Sequence, residues 1–105
     1  MKKIINGKRY DTASAIEIGH YSSSYGGTDH QYWEATLYRT KRSGQYFMAG
    51  EGGPMSRFAQ SNGQNSWSGG EDLIPMSKDE ALEFAEQYLD SDEIEDHFAD
   101  VIEDA

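Results

Sequence analysis

The chain has no cysteine, only two prolines and, after residue 70, a single basic residue, Lys78. Without cysteine, neither a disulfide framework nor a thiolate zinc site can form. No apolar run approaches the roughly 20 residues needed to cross a bilayer. Lys2 and Lys3 precede an apolar run that stops at Ile5, so no signal peptide is read and a soluble, cytoplasmic protein is expected. With 105 residues, a single domain over 1–105 is expected, rich in loops and with a modest core.

What is present is charge, unevenly placed. Residues 1–70 hold eight basic and five acidic side chains, whereas residues 71–105 hold one basic and fourteen acidic. The formal charge of −10 therefore combines a mildly basic body with an end that carries −13. Such an end should repel nucleic acid and anionic membranes and attract basic protein surfaces, of which the largest are those that hold nucleic acid.

Taken in order, Asn6-Gly7 between two β-prone runs predicts a tight hairpin, since both central positions of a type I′ turn need positive φ. Asp11-Thr12 offers an N-cap, and 13–18 followed by Gly19 predicts a short N-terminal helix. Residues 22–29 have loop composition. Alternation over 31–40 places Trp33, Ala35 and Leu37 on one strand face and Glu34, Thr36 and Tyr38 on the other. A turn at 41–44 and a returning strand at 45–50 complete a long hairpin. Residues 55–60 suit one or two helical turns, 62–70 a loop carrying Trp67, and 73–76 a short edge strand because Pro75 cannot donate to a ladder.

The last third, 77–105, reads as two acidic amphipathic helices after the hairpins and loops of 1–76. Ser77 with Glu80 and Asp90 with Glu93 are capping-box pairs. The first opens an apolar stripe of Ala81, Leu82, Ala85, Tyr88 and Leu89, opposed by Asp79, Glu83, Glu86 and Asp90. The second opens a stripe of Ile94, Phe98, Val101 and Ile102, opposed by Asp92, Asp96, Asp100 and Glu103. The fold class expected is thus α+β: a small antiparallel sheet built from hairpins, a short N-terminal helix and two acidic C-terminal helices.

Acidic helix backs often serve solubility alone. Here no lysine stands at i+4 to relieve them, and each like-charged neighbour costs a few tenths of a kcal/mol. Carboxylates one turn apart lie about 5–6 Å from each other, a spacing comparable to that of successive phosphates. The candidate partner-binding residues are therefore Asp79, Glu83, Glu86, Asp90, Asp92, Asp96, Asp100 and Glu103, with Trp67 and Tyr25 as aromatic anchors on polar loops. The glycines at 50–53 and 69–70 lack the lysine and helix context of a phosphate loop and read as turns. His20, His30 and His97 show no metal-ligand spacing, although His20, Asp29 and His30 could meet across the fold. No nucleophile motif occurs, so no enzyme, metal or cofactor is expected. Lys2, Lys3, Lys8, Arg9, Arg39, Lys41 and Arg42 sit on the two hairpins among aromatics; balancing of the acidic helices within the molecule is a simpler use for them than a nucleic-acid strip.

The blocks INGKRYDT, LYRTKRSGQYFMAGEGGPMSRFAQ and NSWSGGEDLIPMSKDEALEFAEQYL resemble a family of small acidic proteins carried on plasmids, phages and conjugative elements of Gram-positive bacteria. The resemblance spans nearly the whole chain and implies no catalytic residues. Small acidic proteins of such elements resemble, as a class, inhibitors of host defence, including anti-CRISPR and antirestriction proteins. The expectation is a stoichiometric inhibitor that uses its acidic surface against a nucleic-acid-handling defence complex, with a Cas9-type effector as leading target. It implies no direct nucleic-acid binding and no membrane partner. The alternative is an accessory or antitoxin-like binding module acting through its sheet and loops; a small metal-dependent enzyme is a third reading.

Overall fold

The computed structural model describes residues 1–23, 31–53, 58, 60–63, 66–68 and 70–105, with backbone alone considered over 60–68. Six strands form two antiparallel sheets. The hairpin β1 (Lys2–Ile5) and β2 (Lys8–Asp11) is one; β3 (Ile16–Ser22), β4 (Trp33–Arg39), β5 (Tyr46–Gly52) and a later strand, Gly70–Met76, form the other. Between them in sequence lies a small hairpin of β6 (Gln60–Gly63) and β7 (Ser66–Ser68), which makes Gly70–Met76 β8. The order in the main sheet is β3-β4-β5-β8. Helices α1 (Lys78–Tyr88) and α2 (Ser91–Phe98) follow, and a 3-10 turn covers Ala99–Val101.

The expected fold class is thereby corrected. The chain is mostly sheet with two short C-terminal helices, and the N-terminal helix expected over 13–18 does not form. Asp11 does act locally, but as a turn: its Oδ1 accepts the Ala13 N–H at 3.0 Å and its carbonyl accepts the Ser14 N–H at 3.3 Å. Six residues are too few to stabilise a helix nucleus, and the β-branched Ile16 pairs with Arg39 of β4 while Ile18, at the bulge between Glu17 and Gly19, is buried in the core. Two further expectations change. Within the loop expected over 62–70, residues 62–63 and 66–68 belong to strands, with Ser61 opposite Trp67. The helical turns expected over 55–60 lie largely outside the described residues, and Gln60 itself begins β6. Tyr25, Asp29 and His30 also lie outside them.

The two hairpins legible in sequence form. Asn6 and Gly7 take φ of 52° and 77°, as the primed turn requires. In the long hairpin Leu37 faces Met48 and Tyr38 faces Phe47. Strand alternation then sorts the sheet into two packed faces. One face gives Trp33, Ala35, Leu37, Tyr46, Met48, Ile74 and Met76 to a core closed by Ala81, Phe84, Ala85 and Phe98 of the helices. The other gives Phe47 and Leu73 to a smaller core closed by Tyr10 of the hairpin, whose ring meets Phe47 edge-on at 5.4 Å. Pro75 sits in β8, an edge strand, where its missing N–H costs least.

Gly50 is required by this packing. A Cβ there would lie 2.7 Å from Phe58 Cζ and 2.9 Å from the Ala35 Cα, against backbone that cannot swing aside. Gly19, expected as a helix cap, instead lies in β3 beneath the corner between the helices, where a Cβ would meet Leu89 Cδ1 at 2.8 Å and the Glu93 carboxylate.

Candidate functional site

The helical end begins at Ser77, whose Oγ accepts the Glu80 N–H at 3.1 Å while its own N–H donates to Glu80 Oε1 at 2.9 Å. This capping box holds the Glu80 carboxyl below its ordinary range, because the ionised form accepts the Ser77 N–H. The same device recurs at α2, where the Asp90 N–H donates to Glu93 Oε1 at 3.3 Å. Only Leu89 and Asp90, both extended, separate the helices, so the chain turns a sharp corner with an N-cap ready on the far side.

The apolar stripe of α1 docks as the periodicity predicts: Ala81, Phe84 and Ala85 are buried, and Leu82, Tyr88 and Leu89 pack around them. Tyr88 closes an aromatic cluster with Trp33 at 5.0 Å and Tyr21 at 4.6 Å. In α2 the stripe docks only in part. Phe98 is fully buried and stacks on Tyr46 at 5.4 Å, and Ile94 is half-buried. Val101 and Ile102, expected on the same buried stripe, are 43% and 41% exposed. The helix ends at Phe98, and the tighter 3-10 turn rotates the next residues away from the sheet.

All eight carboxylates singled out in sequence, Asp79, Glu83, Glu86, Asp90, Asp92, Asp96, Asp100 and Glu103, are exposed. They are not equivalent. Asp100 is bonded to Lys78, the one cation of this end, which lowers the Asp100 carboxyl and raises the Lys78 ammonium; the Arg39 charge lowers Asp100 further. Asp100 thus already has partners within the molecule. Glu86 and Glu103 come together with Glu95 around a shallow groove of about 350 Å³ floored by Leu82, Ile94, Val101 and Ile102. Glu83 borders a different hollow, of about 460 Å³, beside Trp33, Met76 and Tyr88. An apolar floor with a carboxylate rim has the anatomy of a protein interface. Trp67 lies in β7. Glu95 escaped the sequence reading because it flanks the stripe instead of opposing it.

A second acidic surface was also missed. Cross-strand register puts Glu34 opposite Glu51 and Glu51 opposite Glu71, one rung of three carboxylates across β4, β5 and β8. Directly opposite side chains lie about 4.5–5.5 Å apart, and like charges there are destabilising. Tyr32 relieves one of them by donating its hydroxyl to Glu34, which also raises the Tyr32 pKa. The three are distant in sequence, so only the register reveals them. Among the described residues, no group of three or more histidines and carboxylates has a metal-holding arrangement. His20 is bonded instead to the Thr36 hydroxyl at 2.7 Å and the Ser22 hydroxyl at 3.3 Å.

Compared with known proteins, the chain matches no family model, no curated protein and no solved structure, and a functional reading therefore rests on its own residues and geometry.

Proposed function

We propose that the protein is a stoichiometric, non-enzymatic inhibitor of a bacterial nucleic-acid-handling defence complex, acting in the cytoplasm, with a Cas9-type effector as the leading target. The observation that carries this reading is the pair of capped, docked helices, which holds exposed carboxylates around an exposed apolar groove. A basic channel built to grip guide or target phosphates would meet carboxylates at fixed spacing. The groove formed by Leu82, Ile94, Val101 and Ile102 would add a desolvated centre, where binding energy concentrates.

The test is a plasmid-protection assay against a panel of CRISPR and restriction systems, followed by binding of the purified effector at rising salt. Protection against one system, with affinity for its effector that falls steeply as salt increases, is expected. Absence of protection throughout the panel would exclude the reading. The Glu34–Glu51–Glu71 rung favours a second reading, a binding module of a mobile element that works through its sheet. In that case substitutions at Glu51 and Glu71 would abolish binding, and changes on the helices would not.

A further inference from the structure

The cations of the two hairpins, expected to balance the acidic helices, do not all do so. Lys3 pairs with Asp72 at 2.9 Å, and Lys78 pairs with Asp100. Lys8, Arg9, Lys41 and Arg42 form no ion pair among the described residues. All four are exposed, and all four line a single cleft of about 520 Å³. Two segments about 25 positions apart in sequence build it: β2 with the turn after it, and the turn joining β4 to β5.

The cleft has an ordered frame. Its floor includes Tyr10, buried against Phe47. On the opposite wall, Thr40 closes the turn: its N–H donates to the Gln45 carbonyl at 2.8 Å, and its Oγ1 accepts the Gln45 N–H at 2.9 Å. The Gly44 N–H donates to the Thr40 carbonyl at 3.2 Å, and Gly44 supplies the φ of 65° that lets the turn close. Lys41 and Arg42 are therefore carried on a fastened turn. Ser14, Thr40, Ser43 and Gln45 add polar groups to the lining. Asp11 is the one carboxylate present, and its Oδ1 is engaged by the Ala13 N–H.

We propose that this cleft is a binding site for phosphate groups, supplied by a free oligophosphate or by the end of a nucleic-acid strand. Two guanidiniums and two ammoniums match a multiply charged anion with several acceptor oxygens, and arginine engages phosphate bidentately. The volume lies within the roughly 300–1,000 Å³ usual for small-molecule sites. The acidic helices pack on the other face of the sheet from the β1–β2 hairpin, and Asp100, the carboxylate there that feels the neighbouring Arg39 charge, is already bonded to Lys78. The site is independent of the reading given above for the helices.

The test is titration of the full chain with sodium tripolyphosphate at about 0.1 M ionic strength, followed by calorimetry and by backbone amide shifts. A parallel titration uses a short single strand with and without a 5′ phosphate. Saturable binding is expected, with shifts at residues 8–11 and 40–45. Arg9→Gln/Arg42→Gln should weaken it by about tenfold or more, given the strength of charged hydrogen bonds, and Lys2→Gln should not. Lys8→Gln/Lys41→Gln serves as an independent second variant. Tripolyphosphate binding assigns the free anion, and binding by the phosphorylated strand alone assigns a nucleic-acid end. No saturable binding of either, or equal weakening by Lys2→Gln, overturns the proposal.

Discussion

Helix α1 buries Ala81, Phe84 and Ala85 against the sheet and packs Leu82, Tyr88 and Leu89 around them, whereas α2 buries Phe98 alone. Both carry carboxylates on their outer faces, and both start at a capping box. At eight residues, α2 is far below the roughly 12–15 at which an isolated helix becomes even marginal in water. Its order must come from tertiary packing, chiefly of Phe98 with Ile94 beside it, against the core shared with the sheet and α1. The two halves of the acidic surface are therefore held with unequal security, and the exposed groove lies at the less secure half. That arrangement leaves Val101 and Ile102 out of the core and available to a partner.

The sharpest way to break the comparison is Phe98→Ala. Losing a fully buried phenylalanine should cost about 3–5 kcal/mol. Denaturant unfolding should show that loss, and hydrogen exchange should show α2 amides losing protection well before those of α1. Equal loss along both helices would mean that they dock as one unit. Ser77→Ala reverses the emphasis, since removing this cap should cost about 1 kcal/mol and fray α1 first; denaturant midpoints and amide exchange in the first turn check it.

A smaller effect, of opposite sign, concerns the sheet. Glu51→Gln relieves the middle of the three-carboxylate rung and should stabilise the fold by about 0.2–1 kcal/mol. A destabilised variant would show that the rung is satisfied by contacts other than Tyr32. The smallest effect is the clip between the start of α1 and the 3-10 turn. The Asp100 carboxyl is lowered, so its contribution is present above the ordinary carboxylate pKa and fades as pH falls through the lowered value. The Lys78 ammonium is raised, so its contribution is present below its ordinary pKa and fades as pH rises through the raised value. The stability difference between the wild type and Asp100→Asn should therefore be measurable at neutral pH and vanish in acid. A difference that persists in acid would mean that Asp100 acts through something other than its charge.

Local signals were legible where the local chemistry was also the final chemistry. Asn6-Gly7 made a hairpin, alternation over 33–38 sorted inward from outward side chains, and Ser77 and Asp90 started helices. Residues 13–18 misled because Asp11 supports a turn as readily as a cap, and the choice was made by a partner strand about twenty positions later. The carboxylate rung and the basic cleft were illegible for a related reason. Each gathers residues from separate strands or turns, and only strand register and hairpin packing bring them together. The acidic helices were legible as a surface, but their inequality was not, since periodicity continues through Val101 and Ile102 while the helix stops at Phe98.

The proposed function requires that the ordered acidic surface is what a basic effector reads. The most direct measurement is inhibition of the effector by Glu83→Lys/Glu86→Lys/Asp96→Lys, with circular dichroism to show that the helices persist. These three side chains are exposed and contribute no capping bond, so the fold should survive. Inhibition should be lost, and the wild type's salt dependence should disappear with it. A folded variant that inhibits as well as the wild type would contradict it.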